Sequence, residues 1–398
     1  MKPGPSTLRL CILILAALAL GIPDRLDAAQ TLTLKLSRIP DNTPLHDRIH
    51  AAGTFNQWNP ADPNAVFQKD ADGVLTLTLS VSGPVAFKIT RGSWATVERD
   101  EDGRDIRNRE VVLKGESGTK ALHVGSWADS QGVPGSTRSG RVEVLDFSLK
   151  GWGTRRIWIY LPPDYARSDK KYSVLYMYDA QNLFDRRSTA FGQEWTVDES
   201  LEELYYEENH PGLIVVAVDN SNRRGCEYNV FPDDPHPYCA DGSALGQSLN
   251  EAIVKELKPF VDQRFRTRPE REQTAIMGSS MGGQMALAMG LTYPETFSRV
   301  FALSPSYQNQ LHNPLRMPQW IRSLNPAPLF SVYQDIGDAE VIRDIKPETL
   351  IANMKAVSEA LRNQGFTSEQ NEASVIPGAV HNEKAWSARF KDLARRLN

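Results

Sequence analysis

Cysteine is scarce, with three in 398 residues, and an excess of charge of one sign is missing altogether: 45 Lys and Arg stand against 49 Asp and Glu, for a formal net charge of −4. No stretch of basic residues dominates a face, so a nucleic-acid or anionic-membrane partner has no electrostatic footprint, and small or neutral ligands fit better. Internal repeats are also missing, as are low-complexity tracts outside one short Ser/Gly segment. The sequence shows no metal-ligand cluster and no phosphate-cradling glycine loop, so the expectation is neither metal nor cofactor. What is present is 40% hydrophobic content, enough for one large core or two, and a length that favours two or three domains.

The run Leu10 to Ile22 is too short to span a bilayer. With Lys2 and Arg9 ahead of it and cleavage expected near Ala28 or Ala29, residues 1–29 read as a signal peptide, against the alternative of an uncleaved anchor. The chain is then expected to be secreted or periplasmic. Cleavage removes Cys11 and leaves Cys226 and Cys239, an even count in an oxidising compartment, which are expected to pair unless both stay free thiols.

The chain is organised around Gly278-Ser279-Ser280-Met281-Gly282-Gly283. Thr274 to Met277 reads as a buried strand, and Met281 to Leu291 holds good helix formers with no proline before Pro294. Strand, tight turn and helix are the context that a GxSxG nucleophile elbow requires. A serine hydroxyl is a weak nucleophile at neutral pH and has to project where an imidazole can take its proton and fixed N–H groups can hold an oxyanion. The turn imposes an unfavourable backbone angle and crowds the residues two either side, and only Ser280 has glycine at both of those positions.

From Gln30 to Val124, short alternating runs (Thr31 to Leu36, Val74 to Val81, Val85 to Thr90) are separated by the turn signals Asp72-Gly73 and Gly83-Pro84, the pattern of a small all-β sandwich over 30–125. Gly53-Thr54-Phe55-Asn56-Gln57-Trp58-Asn59-Pro60 resembles the FNxWNP signature of early-set immunoglobulin-like domains related to glycogen- and starch-binding modules, and Phe87 to Trp94 resembles their later strand and turn. That resemblance implies carbohydrate; Trp58 is expected to pack into the sandwich, and Trp94 either to pack or to stack on a sugar. Residues 126–140, poor in apolar side chains and rich in Ser and Gly, read as a linker.

From Arg141 to the end, strand-like runs (Arg156 to Leu161, Val174 to Tyr178, Leu213 to Val218, Thr274 to Met277, Val300 to Leu303, Leu329 to Val332) alternate with helical stretches (Thr196 to Tyr206, Ser248 to Gln263, Pro347 to Asn363). This is an α/β fold with a largely parallel sheet, whose reacting groups gather on loops at the carboxyl ends of the strands. Tyr176 to Phe184, Glu194-Trp195, Glu256 to Asp262, the elbow and Ser304-Pro305-Ser306 together resemble the esterases of the esterase D type within the α/β-hydrolase fold, which include feruloyl, acetyl-xylan and enterochelin esterases and mycolyltransferases. The resemblance spans 141–398 and is not specific for a substrate.

Among seven histidines His381 alone lies near the end, in Gly378 to Trp386, which resembles the family motif GxxHxExxW with a bulkier Val380 than usual; His312 is the next candidate. The acid that orients the imidazole belongs after the strand at 329–332, where Asp335, Asp338, Glu340 and Asp344 lie. Resemblance to the GxxE loop counted from Gly337 favours Glu340, with Asp338 the alternative acid. One oxyanion N–H belongs to Met281, the residue after the nucleophile, and by resemblance the other belongs to Gln181, or to Ala180 beside it. Trp195 is a candidate pocket wall or an ordinary core residue. Arg223, Glu227 and Tyr228 are candidate substrate contacts, unless Arg223 and Glu227 form a surface ion pair.

The expected protein is a serine carboxylic-ester hydrolase acting through Ser280, His381 and Glu340 on feruloyl or acetyl esters of carbohydrates. Alternatives are a siderophore trilactone esterase, an acyltransferase, and a carbohydrate-binding protein without turnover.

Overall fold

The computed structural model describes residues 29–129, 136–189, 192–233, 239, 241–307, 315–324 and 330–397. The expected signal segment, save Ala29, and His312 lie outside these residues.

The amino-terminal part is rich in strands, with short 3-10 turns at Thr54–Asn56 and Trp94–Thr96. Its strands are β1 (Gln30–Arg38), β2 (His50–Gly53), β3 (Gln68–Lys69), β4 (Leu75–Val81), β5 (Val85–Thr90), β6 (Glu98–Arg99), β7 (Arg109–Val111), β8 (Ser117–His123) and β9 (Ser126–Trp127). Alternation decides which side is inward: Leu32, Leu34 and Leu36 of β1 and Leu77 and Leu79 of β4 point into a core closed from the other side by Phe87 and Ile89 of β5. One sheet runs β3-β4-β1-β8 and another β2-β5-β7, while β6 and β9 form a ribbon.

Trp58 departs from expectation, and Trp94 takes the outward of the two places open to it. Trp58 sits half-buried beside Trp94, ring centroids 6.4 Å apart, and Trp94 is 44% exposed. Successive left-handed residues at Gln57 and Trp58 (φ 54° and 60°) turn the chain there, and neither indole joins the core. Trp127, from the segment read as a linker, does join it, with its indole N–H on Thr43 Oγ1 at 2.8 Å. Ser136, Thr137 and Ser139 of that same segment are buried too, because Asp185 and Asp198 supply partners: Ser136 Oγ donates to Asp185 at 2.7 Å and the Ser139 N–H to Asp198 at 2.5 Å. Polar composition there marks a hydrogen-bonded seam between the two parts of the chain.

The remainder forms one eight-stranded sheet from β10 (Arg141–Leu149), β11 (Gly153–Leu161), β12 (Ser173–Tyr178), β13 (Leu213–Val218), β14 (Thr274–Ser279), β15 (Arg299–Leu303), β16 (Ser331–Gly337) and β17 (Asn371–Ile376), in the order β10-β11-β13-β12-β14-β15-β16-β17. The first two strands are antiparallel additions and all pairs from β13 to β17 are parallel. The helices are α1 (Val197–Glu208), α2 (Arg224–Glu227), α3 (Gly246–Ala252), α4 (Lys258–Arg264), α5 (Met281–Thr292), α6 (Arg316–Ser323), α7 (Pro347–Asn363) and α8 (Glu383–Ala394), with a π-turn at 253–257 joining α3 to α4. Central strands read as unbroken apolar runs because both faces are covered. In β12, Val174, Tyr176 and Tyr178 face α3, α5 and α7, while Leu175 and Met177 face α1 and α8.

Sheet order places the carboxyl ends of β12, β14 and β16 side by side, with β15 between the last two. The loops that leave those ends carry the candidate residues.

Candidate active site

Ser280 lies between β14 and α5 at φ 55°, ψ −124°, a conformation the surrounding chain enforces. A Cβ on Gly278 would come within 2.4 Å of the Gly282 carbonyl oxygen, and one on Gly282 within 3.2 Å of Asp179 Oδ2. Glycine is therefore required by backbone contact at 278, and at 282 a methyl group would press on Asp179 and Tyr178. The Ser280 N–H donates to the Leu303 carbonyl at 2.9 Å, which ties the turn to β15.

The loop between β17 and α8 brings His381 Nε2 to 3.0 Å from Ser280 Oγ, and its Nδ1 lies 2.9 Å from Glu340 Oε2. A carboxylate accepts only, so Nδ1 carries the proton and Nε2 is left to accept from the hydroxyl. Trp386 meets the imidazole edge to face at 5.0 Å. Glu340 is fully buried, and its other oxygen accepts from Ser304 Oγ at 2.6 Å and from the Gly337 N–H at 2.7 Å. Burial pushes its carboxyl up, but the hydrogen bonds from His381 and Ser304 outweigh that and hold it below the usual carboxylate range.

The other acids are placed elsewhere. Asp338 is exposed and accepts the Gly378 N–H at 2.6 Å, and Asp344 is exposed. The strand expected to stop at Val332 continues to Gly337, so Asp335 lies within β16, buried against Arg389 at 3.0 Å, and its carboxyl is pushed up to about 6 mainly by burial.

A cavity of about 550 Å³ opens over Ser280 and His381. Gln181, in the single turn after β12, lines it, whereas Ala180 is fully buried; Met281 begins α5, whose first-turn N–H groups have no carbonyl within the helix to bond. Of the four expected substrate contacts none lines the cavity. Trp195 packs against Trp386 in the core at 5.8 Å, Tyr228 is buried with its hydroxyl accepting the Asp179 N–H, and Glu227 is buried on Arg155 at 2.5 Å. Arg223 faces outward onto Asp241 at 2.5 Å, so the Arg223–Glu227 pair does not form.

Arg224, one residue along, is the arginine that lines the cavity. It grips Asp179 with two hydrogen bonds of 2.8 and 2.7 Å, while Asn220 donates to the same carboxylate at 2.5 Å. Despite the opposing effect of burial, that carboxylate holds the guanidinium proton more tightly than usual. Arg223 precedes α2 as its cap and Arg224 is its first residue, and α2 is tied beside the cavity by the Cys226–Cys239 disulfide. The sequence pattern marked the segment but not which arginine faces in.

Ser306 and Glu383 were also missed as site residues. Ser306 is buried with its Oγ 2.9 Å from Ser280 Oγ, and Glu383, lining the cavity, has its carboxyl pushed up mainly by burial. Their positions inside the Ser304-Pro305-Ser306 and GxxHxExxW motifs were the available signal. Among the described residues the one close group of metal-type side chains is Cys226, Cys239 and Asp241, and its two thiols are used in the disulfide.

The family model Esterase, described as "Putative esterase", matches residues 153–397. An endo-1,4-β-xylanase/feruloyl esterase of Xylanibacter ruminicola is 23% identical over 243 residues, 60% of this chain and 28% of that one. An α-amylase of Niallia circulans is 40% identical over 103 residues, 25% of this chain and 8% of the amylase, so the chain spans a small part of either relative. The crystal structure of an IroE-like serine hydrolase from Shewanella oneidensis shares the fold with a TM-score of 0.52 at 20% identity, covering 65% of this chain and 79% of that one. With the Esterase model matching more than half of this chain and an α/β sheet carrying the matched residues, the chain belongs to that family and is a carboxylic ester hydrolase.

Proposed function

We propose that the chain is a serine esterase whose nucleophile is Ser280, with His381 as general base and Glu340 as the acid that orients it. The observation that carries this is the continuous path from Ser280 Oγ to His381 Nε2 at 3.0 Å and from His381 Nδ1 to Glu340 Oε2 at 2.9 Å. Ser280 Oγ attacks the ester carbonyl as His381 Nε2 takes its proton, and the N–H groups of Met281 and Gln181 receive the oxyanion. His381 returns the proton to the leaving alcohol, and water then resolves the acyl-enzyme by the same steps.

The substrate class is an acyl ester of a carbohydrate, feruloyl or acetyl. Supporting it are the partial likeness to an α-amylase and to a xylanase/feruloyl esterase, and the paired indoles Trp58 and Trp94 on residues 30–125, which we read as an early-set immunoglobulin-like module. An anionic trilactone is less well served, since Arg224 is already neutralised by Asp179. We assign the chain to an oxidising compartment, secreted or periplasmic, on its disulfide. No helix of the described residues is long and apolar enough to cross a membrane.

The test is hydrolysis of nitrophenyl acetate, a long-chain nitrophenyl ester and methyl ferulate by the protein and by Ser280→Ala. Loss of turnover by several powers of ten in the variant is expected. Equal rates in the two proteins overturn the assignment, and wild-type transfer of the acyl group to a sugar in preference to water makes the protein an acyltransferase.

A further inference from the structure

A second cavity, of about 390 Å³, lies between the β module and the catalytic sheet. The module supplies Glu101, Asp102 and His123 to its wall, and the catalytic part supplies Glu194, Glu199 and Lys384 among others. Gln193 belongs to the walls of both this cavity and the one over Ser280, so the two adjoin. The first turns of α8 serve both as well: Glu383 and Trp386 face the catalytic cavity, and Lys384 and Ser387 face the second.

Two features make this more than a gap between modules. Glu194 and Glu199 are 8% and 7% exposed, and each has one carboxyl oxygen, Oε2, with no hydrogen-bond partner. Buried polar atoms in native proteins are seldom left so. Burial first, and then neighbouring acids, push both carboxyls up, that of Glu194 to about 8, which favours the protonated form that can both donate and accept.

The charges in the wall decide what kind of guest fits. Asp102 is paired with Arg186 at 2.6 Å and Glu101 with Arg38 at 3.1 Å, so the charges that the module brings are matched, and Lys384 stands across from two acids that burial drives toward the neutral form. Neither a cationic nor an anionic group gains from entering. A neutral group that offers many donors and acceptors at once can bond the paired acids and the uncharged polar groups of the wall, Gln193, Thr196 and Ser387 among them, without transferring charge.

We propose that this inter-module cavity is the subsite for the alcohol half of the ester, a neutral polyhydroxylated unit such as a sugar residue, whose acylated oxygen reaches Ser280 past Gln193. The inference rests on the serine-esterase reading above. It makes the β module a wall of the substrate site, contributing His123 and its two acids directly.

The experiment compares two esters of one acyl group, on nitrophenol and on a hydroxyl of a methyl glycoside, using acetyl and feruloyl series and the full chain. The variants are Glu199→Gln, buried and isosteric, and His123→Ala, which removes a part-exposed ring that meets Glu101 at 3.6 Å. Expected is a fall in kcat/KM of at least about tenfold for the glycoside ester, the scale of one lost hydrogen bond to a bound ligand, carried mainly by KM, with the nitrophenyl ester within about twofold of wild type. If both esters fall together, or the glycoside ester is unaffected in both variants, the cavity holds structure or water only and the proposal is overturned. A wild type that cleaves the nitrophenyl ester but not the glycoside ester overturns it too. A wild type inert on both esters would sink the esterase reading itself.

Discussion

At the scale of single residues, Ser304 shows how much of a site can hang on one hydroxyl. It sits at φ 44° just after β15, fully buried, donating to Glu340 Oε1 at 2.6 Å while accepting from the Trp386 indole at 2.9 Å and from Arg389 at 3.2 Å. Those two donors polarise the hydroxyl that holds Glu340, so the depressed pKa of that carboxyl depends in part on it. In Ser304→Ala the Glu340 carboxyl loses a stabiliser of its charged form and its pKa rises. A depressed carboxyl pKa means stability that is lost as pH falls through the folded value, so the acidic limb of the stability profile should shift to higher pH in the variant, with kcat about tenfold lower at the pH optimum and KM little changed. An unmoved acidic limb would show that Ser304 serves packing alone. Gly278→Ala tests the elbow differently: the added methyl group has nowhere to go, and circular dichroism should show loss of the native fold or a Tm lower by many degrees.

Elements carry the next layer, and they are unevenly legible in the sequence for physical reasons. The elbow, His381 and the Gly337 to Glu340 loop were legible because each is a local arrangement in which a few neighbours fix the backbone. The end of β16 was not, since Gln334 and Asp335 interrupt its apolar run and are buried by partners distant in sequence, Asn371 and Arg389. The edge strands β10 and β17 were missed because only one of their sides is covered. Arg224 escaped because which side of a four-residue helix faces inward is decided by the disulfide and by Asp179.

Two predictions belong to elements. Replacing Cys226 and Cys239 together by serine should cost about 3 kcal/mol in the chain-entropy model and, by loosening α2, raise KM more than it lowers kcat; an unchanged KM would separate the bridge from the cavity. Helix α1 buries Glu202, whose pKa is raised to about 8 by burial first and by the charge of Glu199 second. A raised acid pKa means stability that is complete below the unfolded value of about 4.3 and is lost as pH rises through the folded value. Tm should accordingly fall between pH 5 and 9 by this group's contribution. Glu202→Gln should flatten that fall, recovering roughly 2 to 4 °C for each kcal/mol restored. An unaltered slope in the variant would place the pH dependence on other groups.

For the whole molecule, the question is whether the β module and the catalytic sheet unfold as one body. The seam between them is polar but much of it is satisfied. Glu207 of α1 accepts the backbone N–H of Ala121 at 2.9 Å and the Lys120 ammonium at 3.1 Å, both from β8; Arg186 pairs with Asp102 at 2.6 Å; and the Lys35 ammonium lies over the Tyr206 ring at 4.8 Å. Glu207 is the most consequential of these, because it bonds a backbone group that has no side chain to swing away. In Glu207→Ala the Ala121 N–H is left without that acceptor, a loss on the order of 1 to 3 kcal/mol at the seam. Neither core is touched, since the apolar interiors on the two sides are separate sets of residues. Calorimetry of the native protein should then show one transition that Glu207→Ala splits in two, with the β module melting first because its core is the smaller. The same variant should weaken turnover of glycoside esters while sparing nitrophenyl esters, since a module that drifts from α1 opens the cavity that Glu199 and His123 share. Two transitions already present in the native protein would mean that the seam carries no cooperativity, and the substrate wall would then have to be formed by the ligand as it binds.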